Sequence, residues 1–109
     1  MPQSATATEI ETVPYQKVEH LPPKVVILWN SDVHTFDFVV GVLQEVCKME
    51  LEDAIKVAKE VHEKGKAAVW RGHLEICELK KDQIESLRDS DIIIQGGPDV
   101  PLGVTIADG

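Results

Sequence analysis

The sequence predicts an α+β fold, a small antiparallel sheet with helices packed on one face in the order strand, helix, helix, strand, helix, strand, preceded by a mobile N-terminal tail. Three observations carry this expectation. The β-branched and aliphatic run Lys24–Trp29 lies between two prolines and a polar turn, the signature of a buried strand. Two stretches with helical apolar spacing follow it, the second closing on a glycine. The remainder joins short apolar runs through clusters of turn residues.

Four of the six prolines (Pro2, Pro14, Pro22, Pro23) fall in the first 23 residues, with little apolar bulk between them. Residues 1–23 therefore read as a flexible extension and 24–109 as the core domain. After the first strand, Asn30, Ser31 and Asp32 form a polar turn. From Thr35, a suitable cap with Asp37 in the first turn, Phe38, Val39, Val42, Leu43 and Val46 mark an amphipathic helix. A second helix is expected from about Glu50 to Lys64, with Leu51, Ala54, Ala58 and Val61 inward and Gly65 as a left-handed stop. Ala67 to Cys77 reads as one strand, or as two joined at Gly72, because Val69, Leu74 and Ile76 alternate with polar neighbours. Lys80 to Leu87 is a short helix with Ile84 and Leu87 inward. Ile92–Ile94 and Val104–Ile106 are strand-like runs separated by Gly96, Gly97, Pro98 and Pro101.

Composition narrows the function. The chain has 109 residues, 43% hydrophobic and 28% charged, which suits one globular domain and excludes a fully disordered chain. Lys and Arg number 11 against 19 Asp and Glu, a formal charge of -8 that repels phosphate backbones and anionic lipid. Neither nucleic acid nor a membrane is expected as a partner, and the longest apolar run, Val25–Trp29, falls far short of the ~20 residues of a membrane span. Cys47 and Cys77 stand far apart without CxxC spacing, and the first residues carry no apolar signal core, so a reduced, cytoplasmic and monomeric protein is expected.

The residues capable of chemistry argue against an enzyme. Ser31, Asp32 and His62 could suggest a nucleophilic triad. Adjacent extended residues point in opposite directions, however, so Ser31 and Asp32 could hardly address one imidazole, and no glycine-rich elbow surrounds the serine. His20, His34, His62 and His73 lack ligand spacing, so neither a metal nor another cofactor is expected. Taken alone, His62 reads as a surface helix histidine, and Asn30 and Asp32 as turn and capping residues.

Three motifs change that reading. The stretch VILWNSDVHTFDFVVGVLQEV, the segment AKEVHEKGKAAV with its V-H-x-x-G-K-A core, and LEICELK lie at fixed distances within Val25–Lys80, and this stretch resembles the ClpS family of proteolytic adaptors. The ending PLGVTIADG resembles the family's last strand. The resemblance implies a non-enzymatic adaptor. It would capture proteins with a free destabilising N-terminal residue (Phe, Tyr, Trp or Leu, an N-degron) and deliver them to the N-terminal domain of a ClpA- or ClpC-type unfoldase that feeds the Clp protease. By the same resemblance, Asn30, Asp32 and His62 hold the substrate α-amino group. Phe36, Val39, Ala58 and Val61 form the side-chain pocket, Ser31 and His34 meet the substrate backbone or rim, and Glu75 and Lys80 dock the unfoldase. The chemistry agrees: an α-amino group with a pKa near about 8 is a cation with three donors, suited to one carboxylate and two neutral acceptors.

The sequence also departs from the family. Ser31 stands where a first Asp is usual, His34 where Thr is usual, Phe36 for Met, Ala58 for Met or Leu, and Leu79 for Thr. These changes leave open a second reading, a divergent ClpS-like regulator that docks on the unfoldase without binding N-degrons.

Overall fold

The computed structural model describes residues 21–109, so the expected extension, residues 1–23, lies outside the described residues up to position 20, as does His20. Strand β1 (Lys24–Trp29) forms the centre of a three-stranded antiparallel sheet. It lies between β2 (Lys66–Gly72) and β3 (Val104–Asp108). Helices α1 (Phe36–Glu45) and α2 (Leu51–Lys64) connect β1 to β2, and α3 (Leu74–Glu85) with the short α4 (Ser90–Ile94) connects β2 to β3. This is the α+β arrangement that the sequence predicts, with one short helix added before the last strand.

Side-chain alternation decides which sheet face the helices cover. Val26 and Leu28 on β1 are fully buried, next to Ala67 and Val104 of the flanking strands. Ala68 and Thr105, paired with Ile27, are exposed on the opposite face. Helix α3 crosses all three strands, α2 packs on β2, and α1 packs on α2. Val42, Leu43, Ala54, Ala58, Val61, Cys77 and Ile84 close one hydrophobic core beneath them.

Two local features position the region that follows β1. Thr35 caps α1 as expected, its hydroxyl accepting from the Phe38 N–H at 3.1 Å. Gly65 ends α2 in the left-handed conformation (φ 92°), which a side chain would strain. The chain passes there directly into β2, and the Gly65 carbonyl accepts from Asn30 N–H at 2.9 Å. The end of β1 is thereby fastened to the end of α2.

Four expectations are corrected. Leu74–Cys77 belongs to α3 and is not strand; β2 ends at Gly72, and α3 begins six residues before the expected Lys80 and stops at Glu85. The alternation of LEICEL misleads because Cys77 and Ile84, two helical turns apart, are the buried pair, whereas Leu74 and Ile76 remain exposed. Ile92–Ile94 is helical: it lies between Asp89 at the N-cap position and Gly96, whose φ of 86° terminates it, and both edges of β1 are already occupied. Leu51, expected inward, is the first residue of α2 and is exposed.

Candidate functional site

The end of β1, the N-terminus of α1 and the C-terminal half of α2 enclose a depression of about 350 Å³. That volume lies at the small end of ligand sites, about 300–1,000 Å³. Its floor and wall are Val39, Ala58 and Val61, with the half-exposed ring of Phe36 at the mouth. Asn30, Asp32 and His62 also line it, as do Ser31, His34 and Thr35. The structure thus brings together all nine residues to which the resemblance gives the roles of amino-group clamp, pocket and rim. It adds Thr35, which the sequence marks only as a cap.

The placement follows from the local folding. The pairing of Trp29 with Lys66, together with the Gly65 to Asn30 hydrogen bond, sets Asn30 beside the last turn of α2, where His62 projects. Ala58 and Val61 precede His62 on the same helix, so the residues that close the floor and the one that supplies the imidazole are fixed together. Asn30, Asp32 and His62 are exposed, and their side chains make no hydrogen bond to another described residue.

The side chains of Ser31 and His34, by contrast, are bonded within the fold. The Val100 carbonyl, an obligate acceptor, lies 2.8 Å from His34 Nε2, so this nitrogen carries the proton and Nδ1 accepts from the Ser31 hydroxyl at 2.6 Å. Ser31 Oγ accepts in turn from the N–H groups of Val33 and His34 at 3.2 and 3.3 Å. The serine has then used its one donor and both lone pairs. The His34 ring also stacks on Phe38, with centroids 5.4 Å apart.

Next along the chain, the Thr35 N–H and hydroxyl both donate to Asp89 Oδ2, at 2.8 and 3.0 Å. Asp89 is the one buried polar or charged residue among those described, 5% exposed. Burial alone would raise its pKa, but the Thr35 donors, with the Ile92 and Asp91 amides, hold it below the ordinary carboxylate value. Sequence reasoning missed Asp89 and Val100. A carboxylate 54 positions from its partner and a backbone carbonyl leave no local pattern.

Glu75 and Lys80 lie on α3, away from the depression. Glu75 is exposed in the first turn. Lys80 is half-buried; its ammonium donates to the Val46 carbonyl at 2.8 Å and sits 4.3 Å from the centroid of Trp70. Burial pushes the nearby Cys47 thiol up to about 11 despite the Lys80 charge, so it stays protonated near neutrality. Among the described residues, no group of three or more His, Cys, Asp or Glu side chains could hold a metal ion. No helix of the described residues is long and apolar enough to cross a membrane.

Residues 19–93 match the family model for the ATP-dependent Clp protease adaptor protein ClpS. The ATP-dependent Clp protease adapter protein ClpS of Desulfatibacillum aliphaticivorans is 32% identical over 83 residues, covering 76% of this chain and 80% of its own length. The protein of the same name from Nautilia profundicola is 37% identical over 79 residues, 71% and 81% of the two chains. Among solved structures, Agrobacterium tumefaciens ClpS2 bound to L-phenylalaninamide superimposes with a TM-score of 0.63 at 27% identity, covering 81% of this chain and 98% of that one. The chain belongs to the ClpS family of ATP-dependent Clp protease adaptor proteins.

Proposed function

We propose that this chain is an N-degron adaptor that binds proteins by a free N-terminal Phe, Tyr, Trp or Leu and delivers them to a ClpA- or ClpC-type unfoldase. The observation that carries the reading is the meeting, in one depression, of an apolar floor with three exposed polar side chains that bond to no other described residue. Asp32 supplies the charge that an ammonium group needs, and the Asn30 carbonyl and a neutral His62 nitrogen supply two further acceptors. The benzyl or isobutyl group of the first residue enters between Phe36, Val39, Ala58 and Val61, where its burial contributes roughly 1.5–3 kcal/mol. After the cost of ordering the peptide, an affinity on the order of micromolar follows.

The ligand of the Agrobacterium relative supports the same chemistry. L-phenylalaninamide carries a free α-amino group, a benzyl side chain and a carboxyl already converted to an amide, as a first residue does within a chain. The side chains of Ser31 and His34 spend their hydrogen-bonding groups within the fold, so these residues meet the substrate by shape or through their backbone. On α3, exposed Glu75 is the better placed docking group, while Lys80 supports the surface by holding α3 to the end of α1.

The test is titration of the protein with a Phe-initiated peptide and with the same peptide acetylated at its N-terminus. Binding of the first alone is expected, because acetylation removes the charge and two donors. Equal affinity for both would refute the amino-group clamp, and binding of neither would favour the regulator that docks without N-degrons.

A further inference from the structure

We propose that Asp89 is a positioning residue for the depression, acting through Thr35 to set Phe36 at the mouth and so to determine which first residues are accepted. The inference rests on the reading of that depression as an N-terminal-residue site. It adds a residue which no part of that reading uses.

Asp89 is buried while its chain neighbours Arg88, Ser90 and Asp91 are exposed, and a buried carboxylate is costly unless its oxygens are bonded. Its Oδ2 takes both donors of one residue, Thr35. Two bonds from one residue to one oxygen fix orientation as well as position. Thr35 is extended (φ -76°, ψ 155°), and its hydroxyl also holds the Phe38 amide, so the entry into α1 is defined from both sides. Phe36 follows directly; it is 41% exposed and lines the depression with the less exposed Val39 and Ala58.

The same segment holds the preceding residue. Val100 O takes the His34 ring, and Arg88 pairs with Asp99 at 2.9 Å, closing the segment on itself. Positions 34 and 35 are thus both fastened to residues 88–100. A shift at Thr35 therefore moves the gate and leaves the floor on α2 in place.

The experiment compares dissociation constants of the full chain and its Asp89→Asn variant for Phe-, Leu- and Val-initiated peptides. The amide keeps the shape but replaces one acceptor oxygen with a donor, so it cannot serve Thr35 and the neighbouring amides together. A purely structural role would reduce the folded fraction and multiply all three constants by one factor, leaving their ratios unchanged. The expected result is a fall of about tenfold in the preference for Leu over Val, the size of one lost hydrogen bond. Ser90→Ala, adjacent and exposed, is expected to keep the ratio. Unchanged ratios in Asp89→Asn would overturn the proposal. If that variant does not fold, Thr35→Ala is read in the same way, and an unchanged ratio there overturns it equally. Binding of no peptide by the unsubstituted chain would remove the site reading itself, and this inference with it.

Discussion

Two arcs of one rim differ in how their polar atoms are used. Asn30, Asp32 and His62 are exposed and bonded to no other described residue, whereas Ser31, His34 and Thr35 direct their side-chain hydrogen bonds to partners inside the fold. Hydrogen bonds made during folding contribute to stability and are lost to a ligand unless they break first, while unbonded groups meet a ligand at the cost of displacing water alone. Under the proposed function, the contrast separates receptor from scaffold among residues that are neighbours in sequence: Ser31 belongs to one arc, and Asn30 and Asp32 on either side of it to the other.

The largest effect is expected on the receptor arc. Asp32→Ala should weaken binding of a Phe-initiated peptide by about 1.5–3 kcal/mol, roughly 10- to 150-fold, because it removes the counter-charge of the ammonium group. The melting temperature should stay within error, since no bond to another described residue is lost. His62→Ala should cost less, as it removes a neutral acceptor. Calorimetric titration alongside thermal melting reads both quantities, and a stability loss without an affinity loss would exchange the two arcs.

Acid tests the scaffold arc. The folded-state pKa of Asp89 lies below its unfolded value, so its carboxylate contributes stability above the unfolded value, about 3.9, and that contribution disappears as pH falls through the folded value. Melting of the unsubstituted chain should therefore fall more steeply below about pH 4 than that of Asp89→Asn. Parallel curves would mean that the Asp89 to Thr35 bonds contribute little. A smaller effect is expected from Ser31→Ala, which releases the Val33 and His34 amides and the His34 ring: about 1 kcal/mol of stability, with less loss of affinity than Asp32→Ala.

The two arcs also differ in how legible they are. The elements that place the receptor arc are readable from local rules, since a β-branched strand ends at a polar turn, Gly65 stops α2 and His62 is on the helical face of Ala58, while its role is read only from the resemblance to the family. The partners of the scaffold arc are not readable in this way. Arg88 to Asp91 is a run of polar residues in which burial of Asp89 has no pattern, and the three isoleucines beside it favour a strand by propensity although they form the short helix α4. LEICEL fails for a related reason. Its alternation satisfies a strand as well as a helix, and only contact with all three strands, through Cys77 and Ile84, selects the helix.

Phe36 belongs to neither arc and should give the smallest change in affinity with the clearest change in selectivity. It is fastened to the scaffold through Thr35 yet faces the floor formed by Ala58 and Val61. A phenyl ring has few rotamers, so under the proposed function it would make a rigid edge that side chains branched at Cβ, such as Val and Ile, would meet before their amino group reached Asp32. Unbranched Cβ atoms in Phe, Tyr, Trp and Leu would pass that edge. With 41% of its surface exposed, Phe36 gives a bound side chain only part of the roughly 1.5–3 kcal/mol of a full burial, so Phe36→Ala should cost a Leu-initiated peptide less than about 1 kcal/mol. The same substitution should raise the affinity for Val- and Ile-initiated peptides by opening the edge. Equal binding of Val and Leu by the unsubstituted chain, or no gain of branched ligands in the variant, would make Phe36 a packing residue of α1 and leave selectivity to the floor.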